Sequence, residues 1–69
     1  MTTRTFTAIL HKEDDLYVAQ CPEVGTVSQG ETVEEAIANL KEATQLYLKE
    51  FPPLNITPPL LTTFEASYA

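Results

Sequence analysis

His11 and Cys21 are the side chains best suited to reactive chemistry, and each occurs once. An imidazole that titrates near ~6.5 can serve as a general base. A thiol becomes a nucleophile when a neighbouring base or a thiolate-stabilising site lowers its pKa. Their placement speaks against a working pair. His11 stands where an apolar run meets a charged loop, and Cys21 ends the following run, near the opposite end of the paired segment. His11 therefore reads as an edge-of-sheet histidine and Cys21 as a buried, unreactive thiol. With one histidine and one cysteine, neither an internal disulfide nor a tetrahedral Cys/His zinc site can form within the chain.

Carboxylates are the other candidates. Glu13-Asp14-Asp15 is the densest acidic cluster. Two carboxylates in one loop could hold a hard cation such as magnesium, but the same residues suit a solvated turn. Glu31, Glu34 and Glu35 form a second group, which helix capping already explains. Only two glycines are present, and there is no glycine-rich phosphate loop, no Gly-x-Ser-x-Gly elbow and no paired metal motif. No residue is assigned as catalytic, cofactor-binding or metal-binding. Glu13, Asp14, Asp15 and Tyr17 are instead candidates for contact with another protein, although Tyr17 also suits packing within a sheet.

The elements that must position these residues follow from periodicity. Thr5 to His11 alternates partly at period two, with Phe6, Ala8 and Leu10 on one face. Lys12 to Asp15 reads as a four-residue hairpin loop, and Leu16 to Cys21 as a second, antiparallel strand. Pro22 stops that strand because it has no amide to donate. Pro22 to Gly25 reads as a turn, Thr26 to Ser28 as a short third strand, and Gly30 as the place where the backbone turns away. Thr32-Val33-Glu34-Glu35 has the form of a capping box, in which Thr32 accepts from the Glu35 amide and Glu35 reaches back to the Thr32 amide. Val33, Ala36, Ile37, Leu40, Ala43, Tyr47 and Leu48 then recur at helical spacing, which predicts an amphipathic helix from Val33 to Phe51. Pro52-Pro53 ends it. Leu54 to Pro59 reads as a stiff connector, and Leu60 to Tyr68 alternates as a last strand. The expected fold is α+β, a βββαβ chain whose small, mostly antiparallel sheet is covered on one face by one long helix.

Length and charge narrow the function further. A 69-residue chain accommodates one domain, expected over 1–69. A chain this short buries only about 60% of its unfolded surface, so assembly with other copies is a ready source of stability. Asp and Glu number 10 against 4 Lys and Arg, a formal charge of -6. Arg4, Lys12, Lys41 and Lys49 are scattered, whereas a nucleic-acid binder needs clustered cations. An acidic chain favours a basic protein partner. No run of about 20 apolar residues is present to cross a bilayer, and no export signal is visible. A free cysteine fits a reducing compartment, and the expected location is the cytoplasm.

The pattern resembles the N-terminal domain of the HicB antitoxin family. The residues that carry the resemblance are the acidic hairpin loop, Leu16-Tyr17-Val18-Ala19-Gln20-Cys21-Pro22-Glu23, Gly25, Ser28-Gln29-Gly30-Glu31-Thr32, Glu34-Glu35-Ala36, Asn39 and Glu42-Ala43. They span about Phe6 to Leu48. The resemblance implies a partial RNase H-like fold with a further strand beside the first. It also implies a non-catalytic protein that covers the active site of a small basic RNA-cleaving toxin of the HicA type, and an oligomer of several copies. Family members often add a C-terminal DNA-binding domain, but no helix-turn-helix or ribbon–helix–helix segment is expected here, so no direct contact with nucleic acid is expected. The turn Pro22-Glu23-Val24-Gly25 is also shorter than the family's Pro-Glu-Leu-Pro-Gly form. True nucleases of the RNase H fold need a carboxylate in the first strand to hold metal ions, and Thr5 to His11 contains none. The rival reading is an oligomeric scaffold or small-ligand-binding protein with no toxin. Its motive is the stretch from Leu54 to Ala69, in which Glu65 is the only charge and which invites pairing with another copy.

Overall fold

Two antiparallel strands joined by a very tight turn begin the structure, a computed structural model that describes residues 3–53 and 56–69. Strand β1 is Ile9–Glu13 and β2 is Leu16–Cys21. Lys12 pairs with Tyr17 and Glu13 with Leu16, so the connection is the two residues Asp14 and Asp15, not the expected four. Asp14 makes this possible by adopting a left-handed φ of 55°, which aspartate tolerates better than most side chains. The first strand also starts later than its alternation suggests. The Thr7 amide donates to the Glu23 carboxylate and is thereby kept out of a ladder.

Pro22 to Gly25 forms the expected turn. Gly25 has a φ of 93°, and its amide donates to the Cys21 carbonyl at 2.7 Å. Strand β3, Thr26–Gly30, runs two residues beyond the expected Ser28 and pairs antiparallel with β2. The sheet order is β1-β2-β3. Residues paired across the ladders share a face. Leu10, Tyr17, Ala19, Cys21, Thr26, Ser28 and Gly30 thus line one side, while Ile9, Glu13, Leu16, Val18 and Val27 line the other.

Helix α1, Val33–Glu50, covers the first of these sides. Thr32 caps it from an extended conformation, its hydroxyl accepting from the Glu35 amide at 3.0 Å. The reciprocal bond differs from expectation by one residue: the Glu35 carboxylate accepts from the Glu31 amide, at 2.9 Å. The helix lies chiefly over β3 and then over β2. At its start, Ala36 is fully buried against Gly30. Farther along, Asn39 Nδ2 donates to the Gln29 carbonyl at 2.8 Å. Near its end, the hydroxyls of Thr44 and Thr26 meet at 2.7 Å. Strand and helix are therefore antiparallel. The core is small: Ala19, Cys21, Ala36 and Leu40, with Phe6, Leu10, Tyr17 and Val24 packed around it. Val33, Ile37 and Tyr47, expected on the covered stripe, remain exposed.

The α+β class, the antiparallel sheet and the single long helix agree with the sequence reading, but the last strand does not. Among the described residues no strand follows α1. Leu60 to Tyr68 joins no ladder, and Leu60, Phe64 and Tyr68 stand exposed. Alternation only makes a segment competent to pair, and the ladder requires an adjacent edge. Here Pro58 and Pro59, which fix φ and donate no amide, carry the chain away from the sheet. Of the connector before them, Leu54 and Asn55 lie outside the described residues.

The tightest contact supplies a test. A Cβ added at Gly30 would stand 2.6 Å from the Ala36 amide nitrogen and 2.9 Å from the Glu35 carbonyl carbon. These are backbone atoms and cannot swing aside. Gly30→Ala is expected to destabilise the chain by about 2 kcal/mol or more, read as a lowered midpoint in urea or thermal unfolding. An unchanged midpoint would contradict the packing described.

Candidate functional site: an acidic end and a carboxylate clamp

The β1–β2 turn carries Glu13, Asp14 and Asp15. Register places the end of β3 at the same end of the molecule, since Tyr17, next to that turn, pairs with Gly30. Two residues then lead into α1, so Glu31, Glu34 and Glu35 lie at this end too. Six of the chain's ten Asp and Glu residues are gathered there, accompanied among the described residues by the single cation Lys12. The local formal charge is -5, out of -6 for the whole chain. The other three cations, Arg4, Lys41 and Lys49, lie along the flank of β1 and the body of the helix. The molecule is thus strongly polar, and the six acids of this end are exposed to solvent.

The structure unites Glu13, Asp14 and Asp15 and sets Tyr17 apart. Glu13 occupies the uncovered face of the sheet. Tyr17 occupies the covered face, packed against the core, with Lys12 Nζ 5.8 Å from its ring centroid. Glu31, Glu34 and Glu35 were legible in sequence only as helix-capping residues. The signal that joins them to the hairpin turn is the two-residue link between β3 and α1, which keeps the start of the helix at the end where β3 finishes.

His11 is exposed on β1, its Nε2 3.1 Å from Glu13 Oε2. An exposed pair of this kind contributes little stability. Cys21 is 1% exposed, and its thiol pKa is raised, chiefly by burial, with smaller contributions from Glu23. It is therefore held protonated, as a poor nucleophile. Among the described residues, no three His, Cys, Asp or Glu side chains converge in a way that could hold a metal ion.

Glu23 is the functional-looking residue that sequence reading did not single out. Its Oε2 accepts from the Thr7 amide at 2.9 Å and from the Thr7 hydroxyl at 2.9 Å. Its Oε1 accepts from the Thr7 amide at 3.2 Å and lies 3.5 Å from the Cys21 sulfur. Desolvation raises the pKa of this carboxyl, but the bonds from its own amide and from Thr7 outweigh that effect and leave it lowered. The clamp fastens the segment before β1 to the β2–β3 turn. Its role is structural, at the end of the molecule away from the acidic cluster.

Comparison with known proteins gives a partial placement. No family model matches the chain, and no solved structure matches it. A UPF0150 protein of Helicobacter pylori is 48% identical over 42 residues, covering 59% of this chain and 58% of the relative. A UPF0150 protein of Synechocystis is 50% identical over 46 residues, covering 64% of this chain and 58% of the relative. The aligned part of this chain thus spans 58% of the length of each of these relatives. Among the described residues, no helix is long and apolar enough to cross a membrane.

The clamp makes a pH-dependent prediction. A carboxyl whose pKa is lower when folded than when unfolded adds stability above its unfolded value of about 4.3. That contribution is lost as pH falls through the folded value. Glu23→Gln is expected to cost roughly 1 kcal/mol at neutral pH, an amount limited by partial exposure. It should also flatten the fall in stability below that unfolded value. Parallel acid-unfolding curves for wild type and variant would contradict the clamp.

Proposed function

We propose that this chain is a non-catalytic protein-binding module of the HicB antitoxin kind, which neutralises a small basic RNA-cleaving toxin of the HicA type by docking it at the acidic end. The concentration of nearly all the net charge at that end is the observation that carries the reading. Such a field accelerates encounter with a basic partner and fixes its orientation. The same field disfavours direct binding of nucleic acid. The motif resemblance from Phe6 to Leu48 supports the family, and the similarity to two UPF0150 proteins is compatible with it. The absence of catalysis rests on the reactive groups themselves: His11 is remote from Cys21, and Cys21 is buried with a raised pKa. A cytoplasmic location follows from the proposed partner. A second reading, an oligomeric scaffold or small-ligand-binding protein with no toxin, is favoured by the exposed apolar segment from Leu60 to Tyr68.

Calorimetric titration of the full chain with a purified HicA-type toxin tests the first reading. Binding below micromolar concentration is expected, weakening as salt rises. The triple change Glu13→Gln, Asp15→Asn and Glu34→Gln should weaken it about tenfold, the effect of removing three partly screened ion pairs. The control pair Glu42→Gln and Glu50→Gln should leave it unchanged. No binding at micromolar concentration, or equal losses in the two variants, would contradict the proposal.

A further inference from the structure

Tyr47 and Phe51 stand four residues apart and so share one face at the end of α1. The Phe51 amide closes the helix by donating to the Tyr47 carbonyl at 2.8 Å. This brings the two rings together, their centroids 4.9 Å apart and their planes tilted by 34°. Tyr47 is nevertheless 42% exposed and Phe51 60% exposed. Aromatic rings stabilise a fold chiefly through the area they bury, so the core does not account for this pair.

The two rings line a cleft of about 440 Å³ together with Pro52 and Pro53 and with Glu23 and Val24 of the β2–β3 turn. Small-molecule sites fall in this size range, roughly 300–1,000 Å³. Glu23 is the one charged residue of the lining, and no Lys or Arg contributes to it. The carboxylate is fixed in place by the Thr7 amide and hydroxyl, each at 2.9 Å. Among the described residues, Glu23 enters no ion pair. Helix α1 ends beside the cleft, and the carbonyls of a last helical turn carry partial negative charge. The basic residue of that turn, Lys49, lines the separate groove beside β1 instead.

We propose that this cleft binds a small organic cation, a guanidinium carried on a short apolar tail, by stacking it on Tyr47 and Phe51 against the Glu23 carboxylate. Three features favour positive charge at the same place: the negative faces of two rings, a fixed carboxylate and the end of a helix. A guanidinium suits them better than an ammonium, because it is planar, stacks on aromatic faces and is more weakly hydrated. Val24 and Leu48, which also line the cleft, supply apolar contact for the tail. The site lies at the end of the molecule away from the acidic cluster, so it stands independently of the toxin-binding reading.

Amide NMR titration of the labelled full chain with n-butylguanidinium, and in parallel with n-butylurea, tests the site, since the urea has nearly the same shape and no charge. The guanidinium is expected to bind with a dissociation constant of about 1 mM and to shift the amides of Glu23, Val24, Tyr47 and Phe51. The urea should bind at least about tenfold more weakly. The double change Tyr47→Leu and Phe51→Leu keeps apolar bulk and removes both ring faces. It should weaken guanidinium binding about tenfold while leaving the helical circular dichroism intact. Glu23→Gln should weaken it about threefold. The triple change Glu13→Gln, Asp15→Asn and Glu34→Gln should leave it unchanged. Equal binding of the urea, shifts confined to the acidic end, or undiminished binding by the double variant or by Glu23→Gln would overturn the proposal.

Discussion

The close approach of the first helical turn to the end of β3 is the constraint on which the rest of the structure depends. Gly30 has no side chain, and Ala36 has only a methyl group, so two backbones meet where larger residues would hold them apart. That contact fixes where the helix begins. Antiparallel passage over β3 then brings Asn39 to the Gln29 carbonyl and Thr44 to Thr26. A core of small residues suits a chain of this size, because a thin helix–sheet layer reaches close packing without many bulky side chains. The Glu23 clamp completes the frame at the opposite end by holding Thr7 in place.

The same contact sets the electrostatics. Because α1 starts only two residues after β3, its acidic first turn cannot leave the end that holds the β1–β2 turn. Glu34 and Glu35 favour the helix locally through its dipole, and they also add to the field of Glu13, Asp14 and Asp15. The same carboxylates therefore serve the helix start and set the negative field at this end. The chain is thus divided into an acidic end and a flank lined by apolar residues with Arg4, Lys41, Lys49 and Glu42 among them.

Much of this was legible in the sequence where the signal was local. The capping box marked the start of the helix to the residue, Pro52-Pro53 marked its end, and Pro22 marked the end of β2. The features that were not legible depend on distant partners. Nothing near Thr7 announces that its amide is bound by a carboxylate sixteen residues away, so the start of β1 was set too early. Thr44 is polar, yet it is buried because Thr26 answers its hydroxyl. The four-residue loop shrank to two because Asp14 accepts a left-handed conformation. Alternation from Leu60 to Tyr68 described a capacity to pair, and within one copy that capacity is unused. As for the site, the three acids of the turn were visible as candidates, but their union with the helix start emerges only from the strand register.

Amide NMR mapping of the labelled full chain, titrated with a HicA-type toxin, addresses the central claim most directly, because each backbone amide reports separately. The account predicts that shifts cluster at Glu13 to Asp15 and Glu31 to Glu35, with the Thr7 and Glu23 amides undisturbed. Shifts centred on Thr7, Glu23 and the far end of the helix, or none at saturating toxin, would contradict it.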